Sequence, residues 1–401
     1  MFVLIANPES PRVRLFQEAV AIEMPGTRVD VVPWLSIARD RVDLREAMPP
    51  GALLRIESAG QDAEVERAFL ELGYPDRARE HEGHGELLDA PAITKLGDER
   101  GRIHAPRQTH LGFLRALAKI ELALEARPDV SSMSSPEAIR QLFDKRVTSR
   151  IYEEAQIPVP QRLDRVESAG DLAERMAAFA VTTVIVKVAT SSSASCLAVV
   201  RLSDGGLTAM STVETIGKVR FNSRKLVSYA REAAKDLVEF LLGEGAIVEV
   251  LVPKERIRRR GSQAPGQNYD LRVVVIDGEP AFVVGRASSH PITNLHLGGT
   301  RIAEEEIRAS VAADRYERAM RDAVRAAACH DTLYVGLDVA FIARGGAHVV
   351  FEGNAFGDHL NDVLKDGATP HQWELRAFAR RRSSTNPAAG DRSSTPPAKL
   401  R

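Results

Sequence analysis

Asp338, Glu352 and Asn354 are the residues whose types and spacing could do chemistry together. They lie in two apolar runs, Tyr334-Val335-Gly336-Leu337-Asp338-Val339-Ala340-Phe341-Ile342 and His348-Val349-Val350-Phe351-Glu352-Gly353-Asn354, with Arg344-Gly345-Gly346 between them. Such runs around a Gly-containing break predict a β-hairpin. Side chains alternate faces along a strand, so Glu352 and Asn354 share a face, and Asp338 shares its own with Gly336 and Ala340, small neighbours that leave room for a ligand. Register decides whether the carboxylates meet. A loop of Gly345 and Gly346 alone pairs Asp338 with Gly353 and puts Asp338 and Glu352 on opposite faces. A loop from Arg344 to Gly346 pairs Ala343 with Ala347 and sets Asp338 directly opposite Glu352. Like charges opposite each other destabilise a hairpin, so this second register suits a cation held between them. Oxygen ligands favour Mg²⁺, which keeps waters and shares its site with phosphates. A merely solvated strand face fits the same residues.

Lys187 is centred in Val184-Ile185-Val186-Lys187-Val188-Ala189. Burying it would cost heavily unless an anion meets it. Thr190-Ser191-Ser192-Ser193-Ala194-Ser195 follows, with hydroxyls and successive backbone N–H groups of the kind that cradle phosphates. An exposed lysine on an edge strand beside a flexible loop is the plainer reading. Tyr269-Asp270-Leu271-Arg272 puts Asp270 and Arg272 on one strand face, and Arg286 follows on the next strand after the Asp277-Gly278-Glu279 turn. Two converging arginines suit anion clamping; an ordinary cross-strand ion pair explains them equally. Ser288 to Gly299, containing Asn294 and His296, is a polar loop able to lie over a ligand.

The elements positioning these residues read as alternating strands and helices. Phe2–Ala6, Arg28–Val32 and Leu53–Glu57 are strands, with helices over Arg12–Glu23, Ala63–Leu72 and Gln108–Ala126. That alternation predicts a small α/β layer. Four histidines between His81 and His110 have no metal-motif spacing and read as surface or loop residues. The Ser-rich stretch 131–135 reads as the main domain break. Ser135-Pro136-Glu137 then starts a helix running to about Ala155. Further helices are expected over Leu172–Phe179, Glu232–Leu242 and Ala303–Ala328, and further strands over Thr183–Ala189, Ala198–Leu202 and Ala246–Val252. After Arg380 the composition turns to Arg, Ser, Thr, Pro and Ala, which predicts a disordered tail over 381–401.

Composition bounds the alternatives. The 401 residues are 44% hydrophobic with a formal net charge of −1. That suits a soluble globular protein of two or three packed units and offers no basic excess for nucleic acid. No apolar run is long enough to span a membrane, and the first residues read as a strand rather than a signal peptide. Two cysteines, Cys196 and Cys329, are too few for a disulfide framework or zinc site. A cytoplasmic location is expected.

In order along the chain, these pieces resemble the ATP-grasp superfamily, most of all its ribosomal-protein-glutamate-ligase-like branch. The resemblance rests on Asp144-Lys145 before Ile157-Pro158-Val159-Pro160, Lys187 with its Ser loop, Val248-Glu249-Val250-Leu251-Val252, Asp270-Leu271-Arg272, Arg286, Asn294-Leu295-His296-Leu297-Gly298-Gly299, Gly336-Leu337-Asp338 and Glu352-Gly353-Asn354. It covers roughly 131–375. Ile5-Ala6-Asn7-Pro8, Arg55-Ile56-Glu57-Ser58 and Asn354-Ala355-Phe356-Gly357-Asp358 are similar to a bacterial ATP-grasp family of unassigned substrate.

The resemblance implies an α/β and α+β protein. A small N-terminal α/β (pre-ATP-grasp-like) domain, 1–130, would precede a two-lobed ATP-grasp domain, 131–380, with lobes of about 131–250 and 251–380. It implies ATP contacts from Lys145, Lys187, Ser191, Ser192, Ser193 and Ser195, with Glu249 and Leu251 at the adenine hinge. Asp338, Glu352 and Asn354 would bind one or two Mg²⁺ ions, with Mn²⁺ as an alternative. Arg272, Arg286 and Asn294 would face the transferred phosphoryl group and the substrate carboxylate. The Ser loop lacks glycine, and Leu251 replaces a usual aromatic residue; neither change removes a metal ligand. The implied activity is a carboxylate–amine ligase acting through an acyl phosphate, with small-molecule, peptide or carrier-bound substrates. A phosphotransferase and a non-catalytic nucleotide-binding protein are the alternatives. No nucleic-acid or membrane partner is expected, and a homodimer is compatible with the resemblance. His296, Asp358 and His359 are weak base candidates.

Overall fold

The structure, a computed structural model, describes residues 1–60, 62–74, 85–97, 99–192, 194–258, 265–357, 360 and 362–385. The chain opens with a parallel sheet of order β2-β1-β3-β4. It comprises β1 (Phe2–Ala6), β2 (Val29–Pro33), β3 (Leu53–Ile56) and β4 (Ser131–Ser132). Between β1 and β2 runs α1 (Pro11–Glu23), between β2 and β3 run α2 (Trp34–Ala38) and α3 (Leu44–Ala47), and α4 (Ala63–Leu72), α5 (Ala90–Thr94) and α6 (Pro106–Glu125) precede β4. β1 is a continuous buried apolar run, as a central parallel strand covered on both faces must be. Ser10 caps α1 by accepting from the Arg12 N–H. The Ser-rich stretch expected as a break instead begins with the fourth strand of this sheet: its backbone finds partners along β3.

Where one helix was expected up to Ala155, two form, α7 (Pro136–Phe143) and α8 (Lys145–Glu154). Asp144 separates them in an extended conformation and caps α8, its carboxylate accepting from the Arg146 N–H at 2.9 Å. A short acidic side chain that can bond the local backbone competes with helix continuation.

An antiparallel sheet of order β8-β7-β6-β5-β9 follows. Its strands are β5 (Thr183–Val188), β6 (Leu197–Ser203), β7 (Gly206–Ile216), β8 (Val219–Ala230) and β9 (Ala246–Val250), covered by α9 (Ala169–Ala178) and α10 (Glu232–Gly243). The long β7–β8 hairpin was not expected: β8 has no buried residue, so it lacks the apolar alternation that marks a strand.

The last sheet has order β13-β12-β11-β14-β15, with β10 also paired to β11. These strands are β10 (Arg256–Ile257), β11 (Gln267–Ile276), β12 (Glu279–Ser288), β13 (Thr300–Ile302), β14 (Tyr334–Phe341) and β15 (His348–Asn354). The single helix expected over 303–328 is divided into α11 (Glu304–Ser310) and α12 (Ala313–Ala328), because Val311 turns extended and is buried. The closing helix α13 (Pro370–Thr385) runs beyond the expected start of the tail at 381. Residues 386–401 lie outside the described ones.

Several cores organise this architecture, one of them joining Phe2, Leu4 and Phe16 to Val274, Phe282 and Phe378. Val3, Ile5, Trp34 and Leu54 of the first layer pack into one core with Leu271, Val273, Val335, Leu337 and Val339 of the last sheet. Val184, Val186, Val200, Leu237 and Val238 form a separate core under the β5–β9 sheet. No helix among the described residues is long and apolar enough to cross a membrane.

Candidate functional site

The β14–β15 hairpin sets Asp338 opposite Glu352 and Gly336 opposite Asn354, but through neither of the expected loops. Phe341 pairs with His348 and the Ile342 N–H donates to Ala347 O, so the loop is the four residues 343–346. Arg344 and Gly346 take positive φ there. A bulge at Phe351, between the Val339–Val350 and Asp338–Glu352 pairs, absorbs the resulting offset. One irregularity in the ladder therefore returns both carboxylates to a shared face.

Space beside Asp338 is used differently from expectation. A Cβ on Gly336 would come within 3.0 Å of Gly357 O and 3.2 Å of Arg272 Cδ. The glycine thus admits a backbone segment and an arginine rather than a ligand. Gly353, between the two β15 site residues, has the same kind of reason: a Cβ would stand 2.5 Å from Leu142 Cδ2 and 2.6 Å from the Tyr152 hydroxyl.

β11 and β12 bring a set of cations to Asp338. Its Oδ1 accepts from Arg272 Nε at 2.6 Å, and its Oδ2 lies 3.0 Å from an Arg286 terminal nitrogen and 3.4 Å from one of Arg272. Arg286 Nε also donates to Asp270 Oδ1 at 2.8 Å. On the far side of Asp270, Lys254 Nζ donates to Oδ2 at 2.9 Å and to the Thr293 hydroxyl at 2.6 Å, and that hydroxyl donates to Oδ2 as well. The Phe351 ring lies under this ammonium, 5.0 Å from its centroid. Burial opposes the charge on Asp270, but Arg286 and Lys254 overcome it and hold its pKa at about 2.

Asp338 and Glu352 diverge. Burial raises the Asp338 pKa despite the arginines, and the facing Glu352 charge adds to it. Glu352 is pulled down against burial by Lys145 and Lys187, then by the arginines. Its side chain keeps 26% exposure, while Asp338 keeps 10%. One carboxylate is enclosed by cations, and the other faces the opening.

Two lysines close the site from the other side, Lys187 on β5 and Lys145 on α8. Lys187 Nζ donates to Glu249 Oε2 at 2.9 Å. Burial lowers its pKa, yet Glu249 and Glu352 reverse that and keep it raised. The apolar strand thus holds its lysine against anions, as the charge requires. Lys145, the first residue of α8, lies 3.7 Å from Glu352 Oε2 and bonds the Ser191 carbonyl. It joins the loop after β5 to the β14–β15 hairpin.

Other expected residues have local partners. The Ser191 hydroxyl donates to Val188 O and Ser195 O, both at 2.9 Å, and that of Ser195 donates to Asn222 Oδ1 at 2.7 Å. Ser192 is exposed; Ser193, Asp358 and His359 lie outside the described residues. Asn294 uses Oδ1 to cap the 3₁₀ turn Leu295–Leu297, which carries the exposed His296. Its neighbour Thr293, not singled out from the sequence, enters the Asp270 cluster instead. Lys254 was missed as well; its only signal was a lysine three residues beyond Leu251. Leu251 lines a cavity of about 490 Å³ with Pro253, Lys254, Asn268, Pro291 and Arg344. A cavity of about 560 Å³ lies on the first layer, but its Lys119 is already bound to Asp40 and Ile37 O.

These residues fit a hard cation. The two carboxylates face each other, and Asn354 Nδ2 donates to Gly336 O at 3.1 Å, leaving its Oδ1 as an acceptor. Among the described residues no group of three or more His, Cys, Asp or Glu is placed to hold a metal.

A small parallel layer followed by two sheets whose facing residues converge in this way defines a class: the chain has the ATP-grasp fold. It is similar to the ATP-grasp ligase PsnB complexed with minimal precursor, at TM-score 0.53 and 15% identity, over 95% of this chain and 98% of that one. A PsnB structure with a phosphomimetic variant of minimal precursor, Mg and ADP aligns at TM-score 0.51 and 15% identity, over 96% and 98%. The D-cycloserine synthetase DcsG aligns at 0.53 and 15%, over 95% and 99%. At such identities the likeness establishes the fold. No protein-family model matches the chain, and no curated protein does.

Proposed function

We propose that this protein is an ATP- and Mg²⁺-dependent, ADP-forming ligase that joins a carboxylate to an amine. The observation carrying this reading is the Asp338–Glu352 pair, with Lys145 and Lys187 on one side and Arg272 and Arg286 on the other. Two facing carboxylates among four cations suit a polyphosphate that arrives with its own metal. The structural neighbours, one named an ATP-grasp ligase and also seen with Mg and ADP and the other a synthetase, support it.

In this reading residues 1–130 form the substrate-side layer and 131–380 the ATP-grasp unit. Lys145, Lys187 and the loop with Ser191, Ser192 and Ser195 meet the phosphates. Glu249 orients Lys187, and Leu251 borders the nucleotide base. Asp338, Glu352 and Asn354 hold Mg²⁺, which when bound neutralises phosphate charge. A substrate carboxylate oxygen attacks the γ-phosphorus, the bond to the β–γ bridging oxygen breaks, and ADP leaves behind an acyl phosphate. The amine nitrogen then attacks the acyl carbon, phosphate departs, and the amine loses a proton as the amide forms. Arg272 and Arg286 stabilise charge on the transferring phosphoryl group, and the Asn294 amide nitrogen contacts substrate oxygen.

Mass spectrometry of products from ATP, Mg²⁺ and pooled amino acids, peptides and small acids tests this. An amide condensation product with ADP supports the ligase. A stable phosphorylated acceptor moves the assignment to a phosphotransferase, and nucleotide binding without ADP formation to a binding protein.

A further inference from the structure

Both oxygens of Asp338 already accept from guanidinium groups, which sets the arginines and a cation in competition for one carboxylate. The two arginines are not equivalent in this respect. Arg272 holds Asp338 through Nε at 2.6 Å and is anchored elsewhere by a backbone carbonyl, Gly357 O, at 3.3 Å. Arg286 is anchored through Nε to Asp270, which Lys254 and Thr293 fix from behind, and only its terminal nitrogen reaches Asp338, at 3.0 Å. Its inner end is clamped by a carboxylate outside the metal set, and its outer end bonds a carboxylate inside it.

We propose that Arg286 is a metal-released anion receptor: a divalent cation taking Asp338 frees the outer end of Arg286, which then accepts an anionic substrate group. This rests on the metal site of the ligase reading and adds an order to it, cation before carboxylate. The chemistry favours this direction. Asp338 cannot give the same lone pair to a cation and to Arg286, whereas Asp270 keeps the guanidinium in place throughout. A forked guanidinium with one end fixed and the other free presents donors to a carboxylate or phosphoryl oxygen. Until a cation arrives, the receptor is satisfied internally and has little pull on stray anions. Linkage makes the effect reciprocal, so an anion held by Arg286 favours the metal at Asp338.

Calorimetric titration of the full chain with Mg²⁺ alone tests the competition. Arg286→Lys keeps the charge but loses the fork, so Mg²⁺ should bind roughly tenfold tighter, the equivalent of one charge-assisted hydrogen bond no longer to be broken. Tightening in Arg286→Gln but not in Arg286→Lys would reflect net charge alone and overturns the proposal. Glu352→Gln should abolish the Mg²⁺ heat in either background; if it does not, or if the native chain binds no Mg²⁺, the metal site itself is wrong and the inference falls with it. A crystal structure of the native chain with Mg²⁺ and ADP gives a readout independent of the variants. Arg286 should keep Asp270 and leave hydrogen-bonding distance of Asp338; an Arg286 still bonded to both overturns the release.

Discussion

Two buried ion networks in this molecule look alike in composition and differ in kind. Under the first layer, Arg55 is fully buried and donates to Glu57 at 2.7 Å and Glu374 at 2.6 Å, with its guanidinium between the Phe16 and Tyr334 rings. Arg12 donates to Glu57 Oε2 at 3.3 Å and to Phe356 O at 3.0 Å, and His371 Nδ1 lies 3.0 Å from Glu374. Every carboxylate there faces a cation. In the site network, by contrast, Asp338 faces Glu352 across a strand pair, and the end at Glu352 stays partly open. Burial and charge pairing alone therefore do not mark a functional site. What distinguishes the second network is a like-charge pair set face to face across two strands, with its Glu352 end partly exposed.

Arg55→Met should produce the largest effect and sharpen this contrast. It leaves Glu57 and Glu374 buried without their main partner, at a cost of about 3–5 kcal/mol in denaturant unfolding. Turnover per folded molecule should change little, and a proportionate loss of turnover would erase the distinction between the networks. Glu352→Gln should do the reverse. ADP formation should fall by on the order of 100-fold or more, with the denaturation midpoint close to that of the native chain. An unchanged rate would remove the site assignment.

Acid acts on both networks, because each holds a carboxylate pKa at about 2. Burial opposes the charge on Glu57, but Arg55 and Arg12 hold its pKa at about 2. Its stabilisation is complete above the ordinary carboxylate range and is lost as pH falls from near 4.5 through about 2, amounting to about 3 kcal/mol at most. Denaturation midpoints taken between pH 6 and pH 2 should show that decline, and Arg55→Met should flatten it. Gly353→Ala forces a methyl group against Leu142 and Tyr152, with an expected loss of about 1–3 kcal/mol and a shift of the flanking Glu352 and Asn354. Tyr152→Phe should matter least. The hydroxyl is buried without a hydrogen-bond partner among the described residues, so its removal should change stability by no more than about 1 kcal/mol, measured by thermal unfolding.

Much of this molecule was legible from local pattern. β1, α4 and α10 follow apolar runs and periodicity closely, because each element buries one continuous set of apolar side chains. Legibility failed where the local signal was absent or divided. β8 buries nothing and is a strand because β7 pairs with it. Asp144 and Val311 each interrupt what reads as one helix, by a cap in one case and by burial of an extended valine in the other. Lys187 read more plainly as an exposed edge-strand lysine, and only the pairing of β5 between β6 and β9 buries it against Glu249. Nothing local announced Thr293, which differs from Asn294 only in which way the loop turns.

By itself the sequence determined the strands that carry Asp338, Glu352, Asn354, Arg272 and Arg286, and which of them share a face, because side-chain alternation is a property of a single strand. Only the tertiary structure decided that Asp338 and Glu352 meet. Their pairing depends on a four-residue loop and a compensating bulge at Phe351, and an offset between strands is an agreement of two segments that neither encodes alone. It also decided that Lys254 and Thr293 stand behind Asp270, since contacts among the segment after β9, a strand and a loop exist only once all three are packed.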